Sequence, residues 1–108
     1  MTDQLGLVFG ALTDPTRRQM LDTLLREGST SVPALTAELP ISRQAVAKHL
    51  STLSGAGLIE RAPSAGGREV HYRLRAGALE SAASWIAHAD AAWAGRLDRL
   101  RSSLEGPS

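Results

Sequence analysis

The sequence has 108 residues, 43% of them apolar, with a formal net charge of +1, which suits one modest folded domain rather than a disordered chain. It has no Cys, so disulfides, thiolate metal ligands and Cys nucleophiles are excluded together. No apolar run approaches the roughly 18 residues of a membrane span, and the N-terminus lacks a basic-then-apolar signal pattern, so a cytoplasmic protein without a membrane partner is expected.

Leu5, Val8, Phe9 and Leu12 recur at helical spacing and predict a short first helix over residues 4–12. Thr13-Asp14-Pro15 ends it and starts the next, with Asp14 as N-cap and Pro15 in the first helical position. The second helix is expected over residues 15–27, with Met20, Leu21, Leu24 and Leu25 facing inward and Gly28 stopping it. Arg17 and Arg18 fall in its first turn, where the helix dipole does not favour cations. Two readings stand for them: solvated side chains, or contacts to a DNA phosphate or an acidic neighbour. Residues 28–31 read as a loop, and Val32 as a brief strand or a plug in the core. Pro33 opens a third helix to about residue 39, with Leu35 and Leu39 inward, and Pro40-Ile41 makes a turn.

The stretch that follows organises the chain. Ser42 is a good N-cap, and Ala45, Val46, His49, Leu50 and Leu53 then recur at helical spacing as one stripe. Arg43, Gln44, Ala47, Lys48 and Ser51 lie off that stripe. Such a helix suits a DNA major groove: Arg pairs with guanine and Gln with adenine through two hydrogen bonds each, and the helix N-terminus favours a phosphate. A charged outer face is also what an ordinary solvated helix carries. The surroundings favour DNA. A helix and a tight Pro turn precede this helix, forming with it a helix-turn-helix, and a hairpin follows. His49 reads as a packing or hydrogen-bonding residue; nothing in the sequence orients an acid behind it for catalysis.

Gly57 is expected to take the left-handed conformation that ends the reading helix, which spans about residues 42–56. Residues 58–62 are strand-like, residues 63–67 form a flexible turn, and residues 68–74 alternate, with Val70, Tyr72 and Leu74 on one face and Glu69, His71 and Arg73 on the other. Together, residues 58–74 make a wing, with Arg68 beside its Gly-Gly tip. Between Ser42 and Arg75 six basic residues (Arg43, Lys48, Arg61, Arg68, Arg73 and Arg75) face only Glu60 and Glu69, a local surplus of four positive charges. A local basic excess on a nearly neutral chain is the footprint of a nucleic-acid face.

The last helix, over about residues 78–104, carries Leu79, Ile86, Trp93 and Leu100 every seven residues, beside Ala83, Asp90, Leu97 and Leu104. This stripe is too long for so small a core to cover. A homodimer is therefore expected, with Leu79, Ile86, Trp93, Leu97 and Leu100 in its interface and Leu5 and Phe9 of the first helix beside them. The fold class is mainly α with a small β-hairpin: a winged helix-turn-helix of five helices plus wing, dimerised through its terminal helices. Residues 1–108 form one DNA-binding domain.

These pieces carry a resemblance. Residues 11–18 (ALTDPTRR), residues 42–50 (SRQAVAKHL), residues 53–59 (LSGAGLI), and the wing from Gly67-Arg68 to Tyr72-Arg73-Leu74 resemble the ArsR-type winged-helix repressors over nearly the full chain. The resemblance implies a dimeric transcriptional regulator, usually a repressor, on a palindromic operator in double-stranded DNA. It implies base reading from Arg43, Gln44 and Lys48, and phosphate contact from Ser42, Arg17 and the wing. With Ala45 in the same first turn and His71 on the exposed wing face, the candidate DNA contacts are Ser42, Arg43, Gln44, Ala45, Lys48, Arg17, Arg68, His71 and Arg73.

The chain departs from the metal-sensing members. Where they carry a Cys-rich segment it reads Ser31-Val32-Pro33-Ala34-Leu35, which holds no ligand. On the last helix only His88 and Asp90 stand where a second family site lies. Two such ligands from each subunit could make a four-ligand zinc site; the plainer reading is an exposed His and a polar interruption of the seam, paired with Arg96 or Arg99 of a partner. The chain looks closer to the metal-blind branch, with no cofactor expected, and the effector is unknown. An apolar pocket near Trp85 and Trp93 competes with a dimer core for the same aromatics. The alternative function is a winged-helix interaction module without specific DNA reading. An enzyme is a distant third, because no acid, base and nucleophile set converges.

Overall fold

The structure, a computed structural model, describes residues 3–63 and 67–105. Five helices and three short strands follow in the order α1 (Gln4–Ala11), α2 (Pro15–Glu27), β1 (Thr30–Ser31), α3 (Val32–Glu38), α4 (Arg43–Gly55), β2 (Ile59–Ala62), β3 (His71–Leu74) and α5 (Glu80–Glu105). Residues 64–66 of the expected wing turn and the tail at residues 106–108 lie outside the described residues.

Local chemistry sets most of these boundaries. The Asp3 carboxylate accepts from the Leu5 and Gly6 amides and caps α1. Asp14 accepts from Thr16 and Arg17 and caps α2, with Pro15 just inside. Gly28, at φ +85°, ends α2, and its amide donates to the Leu24 carbonyl. Ser31 caps α3 by accepting from Ala34. Val32 therefore begins a helix rather than a strand, and its half-buried side chain packs against the core.

Residues 28–31 are not wholly a loop: Thr30 and Ser31 pair antiparallel with Tyr72 and His71. The sheet order is β1-β3-β2, so the expected two-stranded hairpin has a third strand on its β3 edge. Two residues are too few for alternation to be visible, and only a partner strand far along the chain makes them a strand. β3 is also shorter than the alternating run, because pairing begins at His71; Val70 precedes it and is exposed.

The core gathers Val8 and Ala11 from α1, Met20, Leu21 and Leu24 from α2, Leu35, then Val46, Leu50 and Leu53 from α4, with Leu58, Ile59 and Ala82. Leu25, expected to face inward, is 66% exposed. Thr23 takes the buried place beside this stripe, and its hydroxyl donates to the Gln19 carbonyl and the Glu38 carboxylate. α5 begins after a turn at Gly77, two residues later than expected, and buries only Ala82.

Candidate nucleic-acid interface

The reading helix α4 is held at both ends by its own sequence. The Ser42 hydroxyl accepts from the Ala45 amide at 3.1 Å. At the other end the Gly57 amide donates to the Ser54 carbonyl and the Leu58 amide to the Leu53 carbonyl, both at 3.0 Å. With Gly57 at φ +76° this is the Schellman arrangement that the glycine permits. Val46, Leu50 and Leu53 bury one face against the core. Arg43, Gln44 and Lys48 are exposed, and Ala45 is half-buried at the border. The first turn thus offers solvent a forked cation and an amide, next to unpaired backbone amides at the positive end of the helix dipole.

Arg17 lies one layer behind. Its Nε donates to the Ala11 carbonyl at 2.8 Å and its Nη2 to the Gly10 carbonyl at 3.2 Å. Its Nη1 stands 3.5 Å from the Asp14 carboxylate and 3.3 Å from His49 Nδ1. The guanidinium therefore sits on the negative end of α1 and holds three helices together, which explains a cation in an N-terminal first turn. Of the two readings of Arg17, the acidic neighbour is the contact present. The Arg17 side chain keeps 16% exposure, so little of it is free for a phosphate. Arg18 donates to the Leu12 carbonyl at 2.6 Å.

His49 has the structural role read from its place in the stripe. Arginine can only donate, so its contact requires Nδ1 as acceptor and puts the ring proton on Nε2. An acid does lie behind His49, contrary to expectation: Asp14 Oδ2 is 3.9 Å away. The chain separation of 35 residues hid it. The Thr16 amide holds the Asp14 carboxyl below its usual range, and the Arg17 amide and the Arg17 charge act the same way against partial desolvation.

On the wing, Glu60 and Arg73 lie opposite one another, and the Arg73 guanidinium meets the Glu60 carboxylate at 3.3 Å. His71 Nε2 is 3.5 Å from the Glu69 carboxylate. Both candidates thus have acidic neighbours on the wing itself. Arg68 is exposed, three residues before β3. Arg61, one of the six basic residues of the local surplus, lies across from Tyr72 and borders a groove between the wing and α4.

On α5, Ile86, Trp93, Leu97 and Leu100 are exposed, and Leu79 just before the helix is too. Leu5 and Phe9 of α1 pack half-buried beside the core. Phe9 meets Trp85 edge to face, with ring centres 5.7 Å apart and planes at 71°. Leu5, Trp85 and His88 line an open groove between α1 and α5. His88 Nδ1 donates to the Ser84 carbonyl one turn back, at 2.8 Å. Among the described residues no three His, Asp or Glu side chains converge on a metal position. Among the described residues no helix is long and apolar enough to cross a membrane.

Comparison with known proteins extends this geometry. A helix-turn-helix domain family matches residues 12–62. The uncharacterized HTH-type transcriptional regulator YuzN of Bacillus subtilis is 45% identical over 58 residues, 48% of this chain and 63% of that one. The transcriptional repressor SdpR of Bacillus subtilis is 32% identical over 79 residues, 73% of this chain and 84% of that one. Among solved structures, an ArsR-like transcriptional regulator from Rhodococcus sp. RHA1 superimposes with a TM-score of 0.83 at 37% identity, covering 97% of this chain and 94% of that one. With the winged helix-turn-helix architecture, these likenesses place the chain in the ArsR-type family of transcriptional regulators, to which it belongs.

Proposed function

We propose that the protein is a homodimeric, sequence-specific DNA-binding regulator, and a repressor that acts by occupying a palindromic operator. The observation that carries this reading is the amphipathic division of α4. One face is locked into the core through Val46, Leu50 and Leu53, while Arg43, Gln44 and Lys48 are left exposed. In this reading Arg43, Gln44 and Lys48 meet base edges, Ala45 touches a thymine methyl, and Ser42 and Arg68 meet phosphates. Arg17 acts mainly as a positioning residue behind them; Arg73 and His71 reach DNA only by exchanging their carboxylate neighbours for phosphate. The exposed apolar face of α5 supports a second subunit, which would set the two reading helices about 34 Å apart in successive major grooves. The role is binding rather than catalysis, and its compartment is the one that holds the chromosome, read as the cytoplasm.

The test is selection from random duplex DNA with the purified protein, followed by two variants. Arg43→Ala is expected to cost about 1–3 kcal/mol and relax one base position, whereas Arg68→Ala weakens all sequences alike. Enrichment of a palindrome with half-sites one turn apart agrees with the reading. Wild-type behaviour from both variants overturns the assigned face.

A further inference from the structure

A groove runs between α4 and the wing. It holds about 460 Å³ and is lined by Val32, Ala47, Ser51, Ser54, Arg61 and Tyr72 among others. Its chemistry is uneven. Val32, Ala47 and Leu50 supply apolar lining, and three hydroxyls and one guanidinium the polar lining.

Arg61 differs from the other wing cation on a paired strand. β2 alternates, so Glu60 and Arg61 point to opposite faces of the sheet. Glu60 holds Arg73 on one face. Arg61 shares its face with buried Ile59 and comes out where the core ends and the groove begins. Among the described residues no carboxylate meets it, whereas Arg17, Arg26 and Arg73 are all ion-paired.

We propose that this groove seats one phosphate of the DNA backbone, held by the Arg61 guanidinium with the Ser51 hydroxyl beside it. The inference rests on the DNA-reading assignment of α4. Adjacent major and minor grooves of a duplex are separated by a single phosphate strand. A protein that puts α4 in the one and its wing at the other must straddle that strand, and the channel between the two elements is this groove. A forked guanidinium is the side chain that best holds two phosphate oxygens at once. The contact carries no sequence information; it fixes the depth and tilt of α4, so Arg61 is a positioning residue.

The test is a salt titration of binding by the full-length protein. The probes are a random-sequence duplex and the duplex enriched by selection. Arg61 is exposed, so its substitution leaves the core intact. Arg61→Gln is expected to weaken both duplexes by a similar factor, about tenfold for each subunit's contact, and to lower the slope of log K against log salt by about 1.8, one phosphate for each of the two subunits. Arg61→Lys keeps the slope but recovers only part of the affinity, because the charge returns without the fork. Arg43→Ala in the same series separates the two failures. If Arg61→Gln leaves slope and affinity unchanged while Arg43→Ala loses operator preference, the phosphate seat is refuted and the reading of α4 stands. If neither variant changes binding, both are refuted.

Discussion

Trp93 offers the sharpest test of the proposed subunit contact. The side chain is 58% exposed and sits in the seven-residue repeat with Ile86 and Leu100, themselves more than half exposed. Taking about 250 Å² for a whole tryptophan, the exposed part is about 145 Å². At ~25 cal/mol per Å² its burial is worth about 3.5 kcal/mol per subunit, or roughly 7 kcal/mol for the two copies in a symmetric pair. Interface area does not convert fully into affinity, and truncation leaves the alanine methyl behind, so Trp93→Ala is expected to cost the dimer about 2–4 kcal/mol. That is roughly 30- to 1000-fold in the dimer dissociation constant. Sedimentation equilibrium over a wide concentration range measures it. Leu25→Ala is the control: Leu25 is 66% exposed but lies on α2, away from this seam, and its removal leaves association unchanged. An unchanged dimer constant for Trp93→Ala, in a protein that still folds, would refute the assignment of the α5 face.

Two further predictions concern the elements that hold α4 in place. Gly57→Ala puts a Cβ at φ +76° and 2.9 Å from the Gln4 amide nitrogen, which itself donates to the Ala56 carbonyl. The left-handed backbone alone costs about 1–2 kcal/mol, so a clear fall in midpoint is expected on thermal unfolding; an unchanged midpoint would contradict the cap geometry. Asp14 has a folded pKa below its ordinary value of 3.8, so its contribution is complete above that value and is lost as pH falls through the lower folded one. Asp14→Asn should therefore flatten the acid limb of a stability–pH curve below about pH 4, as read by denaturant unfolding at a series of pH values. An acid limb identical to wild type would mean that the carboxylate's charge contributes nothing to the fold.

The legible part of the site is the part made by neighbours in sequence. Asp14, Ser42, Gly28 and Gly57 act within a few residues of themselves, and the caps and stops they make lie where composition places them. The stripe of α4 is legible for the same reason, since residues three and four apart share a face by helix geometry alone. Leu25 falls in the apolar stripe of α2 yet is exposed, because periodicity marks a broad stripe without saying how much of it the neighbours cover. The place of Arg61 at the groove is not legible in the sequence, because a cation in a short strand looks the same whether its side chain faces solvent or a groove.

By itself, then, the sequence determined the helices, their caps, the amphipathic division of α4, the basic bias of the wing region and the resemblance that led to the family. Tertiary structure alone decided three things. It turned Thr30 and Ser31 into a strand by supplying the far edge of β3. It set Arg17 on the carbonyl end of α1 with His49 and Asp14 around it. It separated Arg61, which borders the groove, from Arg73, which is held by Glu60. Each joins residues distant in sequence, or divides residues of one type by the face they occupy. Neither propensity nor period carries that information, because both record only what a residue does beside its immediate neighbours.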